Sequence, residues 1–369
     1  MSIEKQTTAK SEPVEISSES YWIGRREGVL LERNIYLRKF KQGQNIVNLV
    51  IDPGPPDDLN HLVQSLQKVV GGVKNVNMIF INHQDPDVVY NAAYLQKMNP
   101  NCYLLCSEDT WRLIRFYGLN QKAYRAVERF KNMKISLSTG NMLSFVPSPF
   151  CHFRGAVMLY DHETRILYTG DLFGGLSYKA DMFASEDYWD GVKAFHQIYM
   201  PSRKALNFAI ENIRALDPPP LMIAPQHGSI IKGELVEYFL SKLSSLDVGL
   251  DLFLSSHQKE SYVTAMNEML VEFNGIIGKE KMVAALKAFE DSSFTSIFSA
   301  DSSGIKDIKL EPVEAVERFV RHFKNLASTP VESENLEMAT IRVLTAWNIP
   351  IPNVFSNESL PSPEFFDAM

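Results

Sequence analysis

The sequence predicts a mixed α/β (α+β) domain followed by an α-helical C-terminal extension. Three observations support this. Short apolar strand runs alternate with helix-period segments as far as residue 233, and several of those runs stop abruptly on proline, glycine or a metal-ligand side chain. From Glu234 onward, helix-period apolar positions continue while strand signals thin out. The chain has 369 residues, 45% of them hydrophobic, enough to bury at least one large core. With 37 basic against 44 acidic residues and a net charge of −7, it carries no broad positive field, so neither nucleic acid nor a membrane surface is expected as a partner. Cysteine occurs only at 102, 106 and 151. That odd count implies reduced thiols, and with no signal-peptide pattern and no membrane-length apolar run, a cytoplasmic setting is expected.

Residues 1–18 are polar and read as a disordered leader. Val29 to Phe40 reads as strand and hairpin. Asn45 to Asp52 reads as a buried strand ended by Pro53-Gly-Pro-Pro. Helical spacing follows over Asp58 to Val70, then a strand over Val76 to Ile81 and a helix over Val88 to Met98. Cys102 to Cys106 is the next strand, Glu108 to Tyr117 the next helix, and Met133 to Phe145 a strand pair around Thr139-Gly-Asn. Ala156 to Tyr160 and Arg165 to Tyr168 form a hairpin that delivers Gly170-Asp171. Leu221 to Ala224 is a last strand, running into Pro225-Gln-His227. The domain expected over residues 19–245 gives way to a helical extension over 246–327. A further helix, Leu336 to Trp347, and a proline-rich tail fill 328–369.

The stretch Phe80-Ile-Asn-His-Gln-Asp-Pro-Asp-Val88 ends a strand on three ligand types, His83, Asp85 and Asp87. Three more strand or hairpin ends offer His152, Asp171 and His227. One histidine in such a place is more often a packing residue. Four segments of the same context together point to a metal site, because imidazole and carboxylate ligands hold their geometry only when rigid elements present them. The other histidines, His61, His162, His196, His257 and His322, read as surface or packing residues. Cys151 reads as packing, Cys102 and Cys106 as buried strand neighbours, and Asp52 with Gly54 as a turn. Tyr90, Tyr160, Tyr178 and Tyr199 are all candidate donors to a bound ligand, and nothing local selects among them.

These motifs, in this order, resemble the metallo-β-lactamase fold and its flavodiiron branch. The likeness continues in Pro147-Ser-Pro-Phe-Cys-His152, Tyr168-Thr-Gly-Asp171-Leu-Phe-Gly174, Phe195-His-Gln-Ile-Tyr-Met-Pro201 and Ile223-Ala-Pro-Gln-His227-Gly228. It implies an αββα metallo-β-lactamase-like sandwich with a dinuclear site along one edge. Carried over by position, His83, Asp85 and His152 would ligate a first iron, Asp87 and His227 a second, and Asp171 would bridge the two. Asp85 stands where zinc hydrolases place a second histidine, a substitution shared with the flavodiiron branch. The mixed imidazole and carboxylate shell favours two iron ions, with zinc or manganese as alternatives. Val88 stands where the family places a histidine on the second iron.

No flavodoxin pattern follows His227, so no FMN is expected. The resemblance then implies a non-haem diiron protein that binds dioxygen. It would serve either as an oxygen sensor or in oxygen or nitric oxide reduction with an external electron donor, in which case it is a flavodiiron-like oxidoreductase. The alternatives are a metal-dependent hydrolase of the same fold and a regulatory protein with a vestigial metal site. Expected partners are dioxygen, a protein that engages the helical C-terminal region, and a second copy in a homodimer.

Overall fold

A computed structural model describes residues 12–179, 181–255, 259–289, 292–301 and 303–352. The chain divides into two compact units, Met1–Gly249 and Leu250–Met369. Among the described residues, the first unit is an αββα sandwich of two sheets. One has the strand order β1 (Val14–Ser17), β2 (Ser20–Trp22), β3 (Tyr36–Gln42), β4 (Asn45–Ile51), β5 (Met78–Phe80), β6 (Tyr103–Cys106) and β7 (Tyr124–Ala126). Strands β1 to β4 pair antiparallel, and β4 to β7 run parallel. The other sheet holds β8 (Lys134–Ser136), β9 (Met142–Pro147), β10 (Val157–Asp161), β11 (Ile166–Gly170), β12 (Met222–Pro225) and β13 (Ile231–Lys232), in the order β13-β12-β11-β10-β9-β8.

Alternation along the strands builds two cores. Leu49 and Ile51 of β4 and Met78 and Phe80 of β5 enter the core between the sheets, where Phe80 stacks on Phe145 with ring centroids 6.0 Å apart. Val50 and Ile79 turn the other way, toward the buried faces of α1 (Leu59–Val70), α2 (Pro86–Met98) and α3 (Glu108–Ile114). Covered on both faces, these strands read as continuous apolar runs. Helix α1 stops at Gly71, which takes the left-handed conformation that suits glycine and donates to Gln67 O. After β11 come α4 (Trp189–Tyr199) and α5 (Arg203–Arg214), and α6 (Leu235–Ser244) follows β13; α5 lies against β9 and α6 against β13.

The second unit contains α7 (Leu250–Ser255), α8 (Lys259–Ile277), α9 (Lys279–Ala288), α10 (Ser292–Thr295), the antiparallel pair β14 (Phe298–Asp301) and β15 (Gly304–Ile308), α11 (Pro312–Lys324) and α12 (Pro330–Ala346). Its core is aromatic, with Phe273, Phe289, Phe298, Phe319 and Phe323 all buried.

Three expectations change. Residues 14–17 of the expected leader form an edge strand, because Val14 pairs in register with Trp22. Val29 to Ile35 is not strand: its backbone turns aside to serve the loop after β12, with Gly228 N donating to Glu32 O at 3.0 Å and Asn34 N to Gln226 O at 2.6 Å. The pair β14–β15 interrupts the helical extension. It is held by a tertiary clamp invisible in the sequence, in which Asn267 of α8 both donates to Ile305 O (2.9 Å) and accepts from Ile305 N (2.8 Å). Residues 1–11 of the leader, His257 and the tail 353–369 lie outside the described residues. No described helix is long and apolar enough to cross a membrane.

Gly170 has φ +61°, and a Cβ there would lie 2.1 Å from the Asn82 side chain. Gly170→Ala is therefore expected to destabilise the first unit by about 2–4 kcal/mol, from backbone strain plus overpacking. Urea denaturation measures the loss, and an unchanged midpoint would mean that this approach is not tight.

Candidate metal centre

Strand direction places four of the six predicted residues at one end of the sandwich. His83 follows β5, His152 follows β9, Asp171 follows β11 and His227 follows β12. Strands β9, β11 and β12 run the same way, since β9 and β11 each pair antiparallel with β10 while β11 and β12 are parallel. Asp85 and Asp87 arrive differently. Pro86 opens α2, Asp85 is its N-cap and Asp87 lies in its first turn, so both carboxylates sit at the favourable positive end of a helix dipole. Asp85 makes no cap bond of its own; its side chain turns to the histidines instead.

The ligand atoms of His83, Asp85, His152 and Asp171 all lie within 4.8 Å of one another. His152 Nε2 is 3.0 Å from Asp85 Oδ2 and 3.2 Å from Asp171 Oδ2, and His83 Nε2 is 3.6 Å from Asp85 Oδ2. On the other side, His227 Nε2 is 3.3 Å from Asp87 Oδ2. Asp171 stands between the two groups. Its Oδ1 is 3.7 Å from both His83 Nε2 and His227 Nε2.

This centre is strongly coupled electrostatically. Hydrogen bonds to Asp171 and Asp85 push the His152 imidazole up to about 10. Burial works against ionisation of Asp87, yet the His227 hydrogen bond brings it down to about 2; Asp85 is likewise depressed despite burial, by hydrogen bonds from His152 and His83. Burial also opposes charge on Asp171, His83 and His227. Opposite charges prevail, lowering Asp171 and raising both histidines.

The residues fit a metal. His83 Nε2 and Asp171 Oδ1 are buried without a hydrogen-bond partner, a costly arrangement that a cation between them would relieve. The outer ring nitrogens are fixed, His83 Nδ1 against Asn82 Oδ1 (2.9 Å) and His227 Nδ1 against Glu32 O (3.2 Å), which turns each Nε2 inward. An imidazole and carboxylate donor set suits iron or manganese. Val88 offers nothing to the second group, since it is fully buried in the helix-side core.

Several supporting residues were not singled out as such from sequence. Asn82 is locked by Val157 O (2.7 Å) and by its own N–H to Asp52 Oδ1 (2.8 Å). Asp52 is thus more than a turn residue, and burial pushes its carboxyl up to about 7 against the Asn82 bond. His196 is fully buried. Its Nε2 accepts from Phe173 N at 3.0 Å, its Nδ1 donates to Val192 O at 2.7 Å, and burial takes it down to about 4. It pins the loop after Asp171 to α4, a role that its place in the Phe195 to Pro201 motif hinted at.

Among the tyrosines, Tyr199 is set apart by its ring, 6.3 Å from that of His152, and by a hydroxyl that burial, then Asp171, Asp87 and Asp85, push upward. Tyr160 is committed to Pro218 O, and Tyr90 packs on Tyr117. Cys151 packs as expected: it is buried with Sγ toward Ala205 O, and burial raises its thiol to about 12.

A sandwich of this layout, with carboxylates and histidines gathered at one end of its strands, is the metallo-β-lactamase-like fold in its flavodiiron branch. The family described as "ODP family beta lactamase" matches residues 31–228, and the chain belongs to it. A solved structure described as the peroxy diiron species of chemotaxis sensor ODP is similar at 28% identity and TM-score 0.55, covering 66% of this chain and 99% of that one. A flavo di-iron protein variant from Thermotoga maritima shares the fold at 20% identity and TM-score 0.55, covering 63% and 60%. A putative diflavin flavoprotein A 1 of Nostoc sp. (strain PCC 7120) is 22% identical over 46% of this chain and 30% of its own length. The chain spans between 27% and 33% of the length of the first such flavoproteins it matches.

Replacing His196 with Leu leaves Phe173 N and Val192 O without their side-chain partner, so a loss of about 1–3 kcal/mol is expected in chemical denaturation. Proton linkage gives a second expectation. Because His152 titrates near 10 in the metal-free fold and near 6.5 unfolded, its contribution to stability is complete below about pH 6.5 and is lost as pH rises through about 10. A metal must displace that proton, so affinity is expected to rise about tenfold per pH unit between about pH 7 and 9 in chelator-competition titrations. A flat profile would remove His152 from the ligand set.

Proposed function

We propose that this protein is a non-haem diiron protein that binds dioxygen, and that its first role is oxygen sensing rather than turnover. The observation that carries the reading is the division of the centre around Asp171, with His83, Asp85 and His152 on one side and Asp87 and His227 on the other. In this reading the first group and Asp171 would hold one iron, and Asp87, His227 and Asp171 the other. Two ferrous ions there would supply one electron each to dioxygen, which zinc cannot do.

The chain's own residues do the rest. Asn82 and the Glu32 carbonyl orient two imidazoles, His196 holds the loop that carries Asp171, and the buried Val88 leaves the second side short of a protein ligand. Tyr199, exposed and with its ring beside that of His152, is the tyrosine we take to donate to a ligand at the centre. The likeness to the chemotaxis sensor ODP supports sensing. Asp85, a hard carboxylate where a zinc hydrolase would use imidazole, weighs against hydrolysis.

Protein purified without oxygen and reconstituted with ferrous iron is expected to hold about two irons per chain and to gain a visible absorption band when air is admitted. Asp171→Ala is expected to lose both properties. Val88→His, whose imidazole would have to leave the apolar layer under α2 to reach the centre, is expected to change both iron occupancy and oxygen reactivity; if both stay unchanged, the second side is not open for want of a ligand at this position. Colourless protein with stoichiometric zinc, indifferent to oxygen, would overturn the proposal.

A further inference from the structure

We infer that the open end of the core between the two sheets, at the opposite ends of the strands from the metal centre, is a binding site for a small amphipathic carboxylate. A cavity of about 490 Å³ opens there, within the range of small-molecule sites. Its walls come from both sheets, Met78 and Leu105 on one side and Ile135 and Leu137 on the other, with Phe130 behind. Met78 begins β5, whereas His83 follows that strand's other end, so a ligand here is separated from the metal centre by the strand itself. The rim adds exposed apolar surface: Ile46 is 51% and Tyr103 47% exposed. Apolar residues that line an unfilled slot and continue onto its lip suit an apolar ligand body rather than a hydrated ion.

The polar end is specified by Arg125. Among the described residues no carboxylate lines the cavity, and Arg125 is its one charged residue. Its guanidinium stacks on Tyr103, with Cζ 4.7 Å from the ring centroid. Nη1 donates to the carbonyls of Lys122 and Tyr124, each at 2.8 Å. Those bonds engage one of its three nitrogens, and no ion pair to Arg125 forms among the described residues. A planar cation held by stacking and backbone bonds, with donors unused at the mouth of an apolar slot, matches a carboxylate in fork geometry. Asn77, Asn99 and Asn101 complete the lining and carry no charge that would select a cation.

Isothermal titration with decanoate, and with decylammonium as the charge control, tests the site on the full chain. Decanoate is expected to bind saturably at one site, and decylammonium at least tenfold more weakly. Arg125→Ala, a change at an exposed position, is expected to weaken decanoate at least tenfold with the unfolding temperature unchanged. Ser136→Trp, placed on the exposed lip to block the mouth, is expected to abolish binding, which keeps the test decisive should the arginine variant be unstable. Equal binding of the two amphiphiles, wild-type affinity in both variants, or no saturable decanoate binding below millimolar concentration would each overturn the inference.

Discussion

The centre depends on the reach of one carboxylate. Asp171 addresses His152 through Oδ2 and both His83 and His227 through Oδ1, so a displacement of its loop disturbs both halves at once. Two neighbours hold it in place. Gly170 lets β11 pass against Asn82 where no side chain would fit, and His196 binds the backbone two residues further on. Asn82 in turn orients His83, so one close contact between the sheets sets a shared carboxylate and one of the imidazoles it addresses.

Gathering a buried Asp171 and the half-buried Asp85 and Asp87 among three imidazoles costs desolvation energy that apolar packing would not incur. In the metal-free fold, protonated histidines offset part of that cost, which is why their affinities for protons rise while those of the aspartates fall. The compensation is incomplete, because His83 Nε2 and Asp171 Oδ1 have no hydrogen-bond partner. A site that strains against its protons is built to exchange them for a more highly charged cation. The same argument explains the helix start at Pro86, where the dipole of α2 supports two of the carboxylates.

The two sides of the centre are unequal. The first gathers four ligand atoms within 4.8 Å of one another, while the second has Asp87, His227 and the shared Asp171. Val88 is the residue that makes the difference. It belongs to the apolar layer under α2 rather than to the centre, and a histidine there would have to leave that layer to reach a metal. In the proposed diiron reading, asymmetry of this kind would keep one metal firmly ligated and leave the other accessible, an arrangement suited to reversible ligand binding.

By itself the sequence determined the alternation of strands and helices, the strands that end on ligand types and the six candidate residues, because each is written locally: an apolar run, a breaking proline or glycine, and then a histidine or aspartate; the sandwich was implied by the resemblance of those motifs, in their order, to a known fold. Periodicity also marked α8, α9, α11 and α12, whose apolar faces repeat along their own lengths. Only the tertiary structure decided the distances among those side chains, with Asp171 standing between the two groups, since their sequence separations carry none. It also decided the course of Val29 to Ile35, where Glu32 and Asn34 bond to the His227 loop, and the β14–β15 pair, whose stabilising partner Asn267 lies on another element. Side-chain support shows the same divide. Asn82, Asp52 and His196 act through contacts between elements remote in sequence, and a residue's neighbours in space, unlike its periodicity, leave no mark on its own stretch of chain.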